Sequence, residues 1–164
     1  MVEIEPGNSG TLQSARFKAN LRLWSDVKPL GELIHVSRQQ WVRHYAKGQT
    51  IPEEGRAQNR ISLRHYASSE TIESGNIKNI PAVLSKLLDD FESKSPAIFE
   101  FTRIGEVEAV LWVAIIGYDP VDVPDLSETL VKKAKGAGVK ILMENYTVMD
   151  KETGNPAKTW IALD

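Results

Sequence analysis

Apolar and polar side chains alternate strictly near the start of the chain. In the stretch RFKANLRLW, residues 16–24, every second position is apolar, and the positions between them are mostly charged or amide side chains. The apolar positions are Phe17, Ala19, Leu21 and Leu23. Successive side chains of a β-strand point to opposite faces of its sheet, so this period of two predicts a strand with one buried and one polar face.

Further strands are predicted where β-branched and aromatic residues lie between glycine, proline or polar stretches. The segment 107–117 is apolar on both faces, which is typical of a central strand. Residues 97–104 precede it, and the Gly105-Glu106 pair between the two segments predicts a tight hairpin. The remaining predicted strands are residues 40–46, 60–67, 139–150 and the C-terminal stretch 158–164, which we expect to fold back on the strand before it.

Three helices are predicted. The clearest lies within residues 76–95, where apolar side chains recur at three- and four-residue spacing. A second lies within 125–138, and a short one lies within 26–37. The expected terminal residues are Asn79 as the cap of the clearest helix, Asp125 with Glu128 at the start of the second, and Gly136 or Gly138 at its end.

The order of these elements predicts an α+β fold. A ferredoxin-like β-α-β-β-α-β start, followed by a further β-α-β, gives a mostly antiparallel sheet with helices on one face. Residues 1–14 are expected to form a flexible N-terminal tail and residues 15–164 a single α+β domain. The expected core includes Ile80, Leu84, Leu87, Leu88, Leu111, Val113 and Ile115.

Composition narrows the functional classes. The chain of 164 residues has no cysteine, which excludes disulfides, thiol catalysis and cysteine-ligated metals. No apolar run reaches the ~18 residues of a membrane span, and the N-terminus lacks the pattern of a signal peptide. We therefore expect a cytoplasmic protein with no membrane partner.

The charge is unevenly distributed along the chain. Residues 16–66 hold ten Lys and Arg against four Asp and Glu, whereas residues 67–164 hold ten against sixteen. The whole chain has a net charge of −2. Such an asymmetry is typical of proteins with an anionic partner, unless folding interleaves the two halves.

The tripeptide Arg-His-Tyr occurs twice, at 43–45 and at 64–66. If both copies are strands, His44 and His65 fall on the apolar faces, and the arginines and tyrosines fall on the polar faces. A shared metal site of the two histidines would still lack a third ligand of evident spacing. The sequence therefore predicts no metal, no cofactor and no catalytic residue, and an enzyme that uses His44 and His65 stays an alternative.

The polar face of these strands is the candidate binding surface. Its expected members are Trp24, Trp41, Arg43, Tyr45, Arg60, Arg64 and Tyr66. Trp, Tyr and Arg dominate protein interfaces because they make large, rigid contacts, so we expect another protein as the partner, with self-association as one form of this. A solvated face is an open alternative. Nucleic acid is less favoured because the RNA-recognition signature is absent and the pI is about 6.0.

Several segments together resemble a known bacterial family. They are FKANLRLWSD (17–26), RHYAKGQT (43–50), IPAVLSKLLDDF (80–91) and LSETLVKKAKGAGVKILMENY (126–146). Over residues 16–146 the chain resembles domain-of-unknown-function family 4279, although family members commonly have tryptophan where this chain has Ile61. The resemblance implies an α+β fold in a small bacterial protein, and it brings no established activity or catalytic residue.

Overall fold

A computed structural model of the chain describes residues 15–51, 60–117, 123–147 and 158–163, with the backbone alone for residue 147 and for 158–163. The predicted tail 1–14 lies outside the described residues. Residues 52–59, between the predicted strands 40–46 and 60–67, also lie outside the described residues. So do residues 148–150 at the end of the predicted strand 139–150, and residue 164.

Nine strands and four α-helices are found in these ranges. The strands are β1 (Arg16–Ser25), β2 (Trp41–Tyr45), β3 (Thr50–Ile51), β4 (Arg60–Ile61), β5 (His65–Ser69), β6 (Ile72–Ser74), β7 (Glu108–Gly117), β8 (Val139–Thr147) and β9 (Lys158–Leu163). The helices are α1 (Gly31–His35), α2 (Ile80–Lys94), α3 (Pro96–Arg103) and α4 (Glu128–Gly136), and a 3₁₀ turn at Ile77–Asn79 leads into α2.

Seven of the described strands form one sheet. Its order is β2-β5-β1-β7-β8-β9, and the short β6 also pairs with β1. Only β7 and β8 are parallel; the other pairs are antiparallel. The order β2-β5-β1-β7 is that of a ferredoxin-like β-α-β-β-α-β unit, and α4 with β8 adds the further β-α-β. The predicted α+β fold is confirmed.

The helices pack on one face of this sheet. Helix α2 contacts β1, α3 and α4, while α1 contacts α3 and α4 contacts β8. The inward side chains of β1 and the apolar stripe of α2 form the centre of the core, since apolar area removed from water is its main source of stability. All seven core residues expected from the sequence are at most 4% exposed.

The predicted strand at 97–104 is wrong, because these residues form helix α3. Ser95 and Pro96 begin the helix, and proline favours a first helical turn. Ile98 and Thr102, four residues apart, are buried on its inner face. The chain reverses into β7 through Gly105, at φ 85°, so the predicted hairpin is a helix-to-strand turn, and β7 is the fourth strand of the unit.

The predicted strand at 60–67 is also interrupted. Strand β4 pairs with β3 in a separate two-stranded sheet, and the main-sheet strand begins only at His65. Between them, the Ser62 amide donates to the Gln49 carbonyl at 2.8 Å, and the Ser62 carbonyl accepts from Gly48 at 2.7 Å. Because these bonds hold the bend, Ile61 and Leu63 are exposed instead of facing the core.

Two predicted helix caps are displaced by a few residues. Asn79 makes no capping bond; the side chain of Asn76 caps the 3₁₀ turn instead, by accepting from the Lys78 amide. Helix α4 is capped by Ser127, which accepts from the Leu130 amide, rather than by Asp125. These polar side chains satisfy amides that have no partner within their own helix.

Gly138 offers a test of the packing between α4, β8 and α3. Its φ of 72° is left-handed, and a Cβ atom would lie 2.4 Å from the Thr102 carbonyl oxygen. Gly138→Ala should therefore lower the free energy of unfolding by about 2 kcal/mol or more. Gly136→Ala is the matched control, since its Cβ would meet nothing within 4 Å. Urea denaturation should show Gly136→Ala unchanged or more stable; an equal loss in both variants would contradict the close contact.

Candidate binding face

Three aromatic rings lie side by side on neighbouring strands of the main sheet. They are on the sheet face that points away from the helices, and we call this face the open face. Trp24 on β1 lies opposite Tyr66 on β5, and Tyr66 lies opposite Tyr45 on β2. The ring centroids of Trp24 and Tyr66 are 5.6 Å apart with tilted planes, and those of Tyr66 and Tyr45 are 6.1 Å apart and stacked. We call these three residues the aromatic row.

The strand period places this row. Leu23 and Ala67 are fully buried against the helices, so their neighbours Trp24 and Tyr66 must point to the open face. The same alternation in β2 turns His44 inward and Tyr45 outward. The two Arg-His-Tyr copies thus contribute stacked tyrosines to one surface, as the sequence predicted.

Arg22 and Arg43 occupy the next register position along the same face. Both lie opposite Ser68, which separates them on β5. The Arg22 guanidinium carbon is 3.9 Å from the centroid of the Trp112 ring, and Arg22 Nε donates to Asn20 Oδ1 at 3.1 Å. Burial lowers the pKa of Arg22, and the charge of Arg43 lowers it further, while Tyr66 and Glu144 oppose the shift.

Arg64 lies at the rim of the open face, whereas Arg60 belongs to a different sheet, contrary to the sequence prediction. Arg64 precedes β5 and forms ion pairs with Asp26 at 2.8 Å and Glu108 at 3.1 Å. Its charge is therefore compensated at the rim of the open face. Arg60 belongs to β4 and thus to the separate two-stranded sheet.

Trp41 is a further correction to the predicted face. The register between β2 and β5 shifts between Trp41 and Arg43, because a bulge at Val42 adds one residue to β2. The indole therefore points to the helices, where it packs edge-on against Phe91 at 6.3 Å and donates to Ser37 Oγ at 3.2 Å.

This placement means that the Trp41 side chain contributes to folding stability. Trp41→Ala should lower the free energy of unfolding by about 2 kcal/mol or more, because it empties the space beside Phe91. Urea denaturation followed by circular dichroism measures the loss. A change in the free energy of unfolding within about 0.5 kcal/mol is expected of a surface side chain. That result would contradict the inward placement of Trp41 and support its predicted place on the open face.

The two histidines lie on the helix side of the sheet. His44 Nε2 is buried and has no hydrogen-bond partner in the described ranges, and a Cβ atom on Gly31 would lie 3.3 Å from His44 Cε1. His65 Nδ1 accepts from the Lys47 amide at 3.1 Å. No hydrogen bond joins His44, His65 and Glu100 in the described part of the chain, and Glu100 instead pairs with Arg103.

His44 should make folding stability depend on pH. Burial, and then the nearby charge of His65, lower the pKa of His44 in the folded protein below its ordinary value of 6.5. As the pH falls below 6.5, His44 therefore becomes protonated in the unfolded chain before it does so in the folded chain. The free energy of unfolding decreases over this range, until the pH reaches the pKa of His44 in the folded protein.

Urea denaturation at successive pH values between 7.5 and 5 tests this dependence. His44→Gln should lose less stability than the wild type over this range. His35→Gln serves as the control because His35 is exposed. Equal pH dependence in the wild type and His44→Gln would exclude His44 as its source.

Sequence reasoning missed three residues of the open face. Trp112 was assigned to an apolar central strand, but its ring lies under Arg22 on the open side. Glu108 and Glu144 come from the acidic half of the chain, on β7 and β8. Continuing the register from β1 would have placed two of them, since Trp24 lies opposite Glu108 and Asn20 opposite Trp112. The register between β7 and β8 places Glu144 opposite Ala114, where it is buried.

Two features of the described ranges concern metal binding and membrane insertion. No group of three or more His, Asp or Glu residues there is placed to hold a metal ion. None of the helices in those ranges has the length and apolar character that a bilayer span requires. Comparison with models of protein families, with curated proteins and with solved structures found no match for the chain.

Proposed function

We propose that this protein is a non-catalytic, cytoplasmic binding module whose open face docks another protein. The observation that carries the proposal is the aromatic row beside Arg22 and Arg43 on a sheet face to which the described helices do not pack. Such clusters of Trp, Tyr and Arg supply most of the binding energy in protein interfaces.

The packing of the rings favours protein over nucleic acid. Tyr66 lies between Trp24 and Tyr45, and Arg22 covers the Trp112 ring. A base stacks on a free ring face, and here those ring faces already contact neighbours. Protein side chains pack against ring edges and hydrogen-bond to phenolic hydroxyls, so rings that contact one another still suit a protein partner.

The charges of the face support the same choice. Glu108, on β7, lies opposite Trp24 at the end of the aromatic row and pairs with Arg64, whereas Glu144 on β8 is buried. A phosphate chain that crosses the row would meet the Glu108 carboxylate, whereas nucleic-acid surfaces are mostly cationic. A mixed surface suits a protein partner, and an immunity-type or accessory role in a bacterium, in line with the resemblance to family 4279, is part of this proposal.

Tyr45→Ala tests the proposal at an edge strand, where truncation leaves the core intact. Recovery of bound proteins by the tagged chain, from the lysate of its source cells, should fall about tenfold or more, the loss expected for an interface hot spot. Ile104→Ala, which shortens an exposed apolar side chain at the end of α3, should bind like the wild type.

Three outcomes separate the alternatives. Wild-type recovery by Tyr45→Ala would contradict the proposal, and so would bound material that disappears after nuclease treatment. Sedimentation of the purified protein checks self-association: a dimer that Tyr45→Ala dissociates would identify the partner as a second copy of the chain.

A further inference from the structure

Arg22 and Arg43 lie on the open face on either side of strand β5. Both lie opposite Ser68, whose side chain is short and whose residue is only 4% exposed. Strands in a sheet are about 4.8 Å apart, so the Cα atoms of the two arginines are about 10 Å apart. Side chains of this length can direct both guanidiniums at one small group between them.

Arg22 is held in place by its neighbours. Its Nε donates to Asn20 Oδ1 at 3.1 Å, and Asn20 Nδ2 donates to Thr71 Oγ1 at 3.0 Å. The Trp112 ring supports the guanidinium from one side. No described residue accepts a hydrogen bond from Nη1 or Nη2 of Arg22, so these two donors remain for a ligand.

Two other cations near this face, Arg64 and Lys18, have carboxylate partners. Arg64 pairs with Asp26 and Glu108, and Lys18 pairs with Glu73 at 3.2 Å. In contrast, no carboxylate among the described residues lies within 4.0 Å of Arg22 or Arg43. The repulsion between these two cations is a cost that an anion between them would remove.

We propose that Arg22 and Arg43 form a carboxylate subsite, into which the partner protein inserts an aspartate or glutamate. This inference rests on the proposed protein-binding function and names the chemistry that it recognises. The planar fork of a guanidinium matches a carboxylate with two parallel hydrogen bonds. The Glu108 carboxylate opposite Trp24 disfavours a polyanion but tolerates one charge placed between the arginines.

Titration with two short peptides tests the subsite. The probes are Ac-Gly-Phe-Glu-Asp-Glu-Phe-Gly-NH₂ and its amide twin Ac-Gly-Phe-Gln-Asn-Gln-Phe-Gly-NH₂. Nuclear magnetic resonance follows the Arg22 Nε–H and Trp112 Nε1–H signals, which report on the subsite directly. The acidic peptide should shift both signals saturably and bind at least tenfold tighter than the twin, because only it carries carboxylates.

Matched charge variants locate the effect. Arg22→Gln with Arg43→Gln should weaken binding of the acidic peptide at least tenfold, and Arg43→Gln alone, on the exposed edge strand, should weaken it in part. The control is the double variant Arg16→Gln with Arg38→Gln, which also removes two positive charges. Arg16 lies on β1 and on the same face as Arg22, six residues and about 20 Å away from it. This control should bind like the wild type.

Several results would overturn the carboxylate subsite: equal binding of both peptides, wild-type binding by the Arg22 and Arg43 variant, or no saturable binding at about 10 mM peptide. A thymidine decamer that binds tighter than the acidic peptide would assign the subsite to phosphate. If Tyr45→Ala loses the partner while the arginine variant keeps it, the subsite fails and the proposed function stands. If both keep it, both fail.

Discussion

The register of strand β1 is the constraint on which both faces of the sheet depend. The strand pairs with β7 along one edge and with β5 and β6 along the other, and its inward side chains Phe17, Ala19, Leu21 and Leu23 are fully buried. A shift of one residue would bring Arg22 and Trp24 into the core and expose the apolar set to water. The burial of one face therefore fixes the position of every side chain on the other.

The uneven charge of the sequence is largely resolved by this pairing. β1 lies between the basic first half and the acidic second half, so cations of one half meet carboxylates of the other: Lys18 meets Glu73, and Lys28 meets Glu106. Exposed ion pairs of this kind contribute little stability each, but they balance the surface. Among the described residues no carboxylate lies within 4.0 Å of Arg22 or Arg43, and both arginines lie beside the aromatic row. The proposed binding function uses these two arginines and the aromatic row.

The sequence predicted the parts of the fold where one periodicity dominates, such as β1, α2 and the doubly buried β7. It failed where two periods coexist: residues 97–104 carry apolar side chains that suit a strand and a helix equally, and Pro96 with the buried Thr102 decided for the helix. In the candidate site, Trp24, Tyr45, Tyr66 and Arg43 followed from alternation alone. Trp41 did not, because a one-residue bulge inverts the alternation and has no signal in the sequence. Arg60 was misplaced for a related reason, since hydrogen bonds of Ser62 interrupt its strand.

The central claim is that β5 lies between β1 and β2 and so assembles the aromatic row on the face away from the helices. Nuclear Overhauser contacts between side-chain protons in solution measure this directly. The account predicts contacts from the Tyr66 ring to both Trp24 and Tyr45, and from the Arg22 side chain to the Trp112 ring. Contacts from Tyr45 or Tyr66 to Phe91 of α2, with none between the two tyrosines, would contradict it.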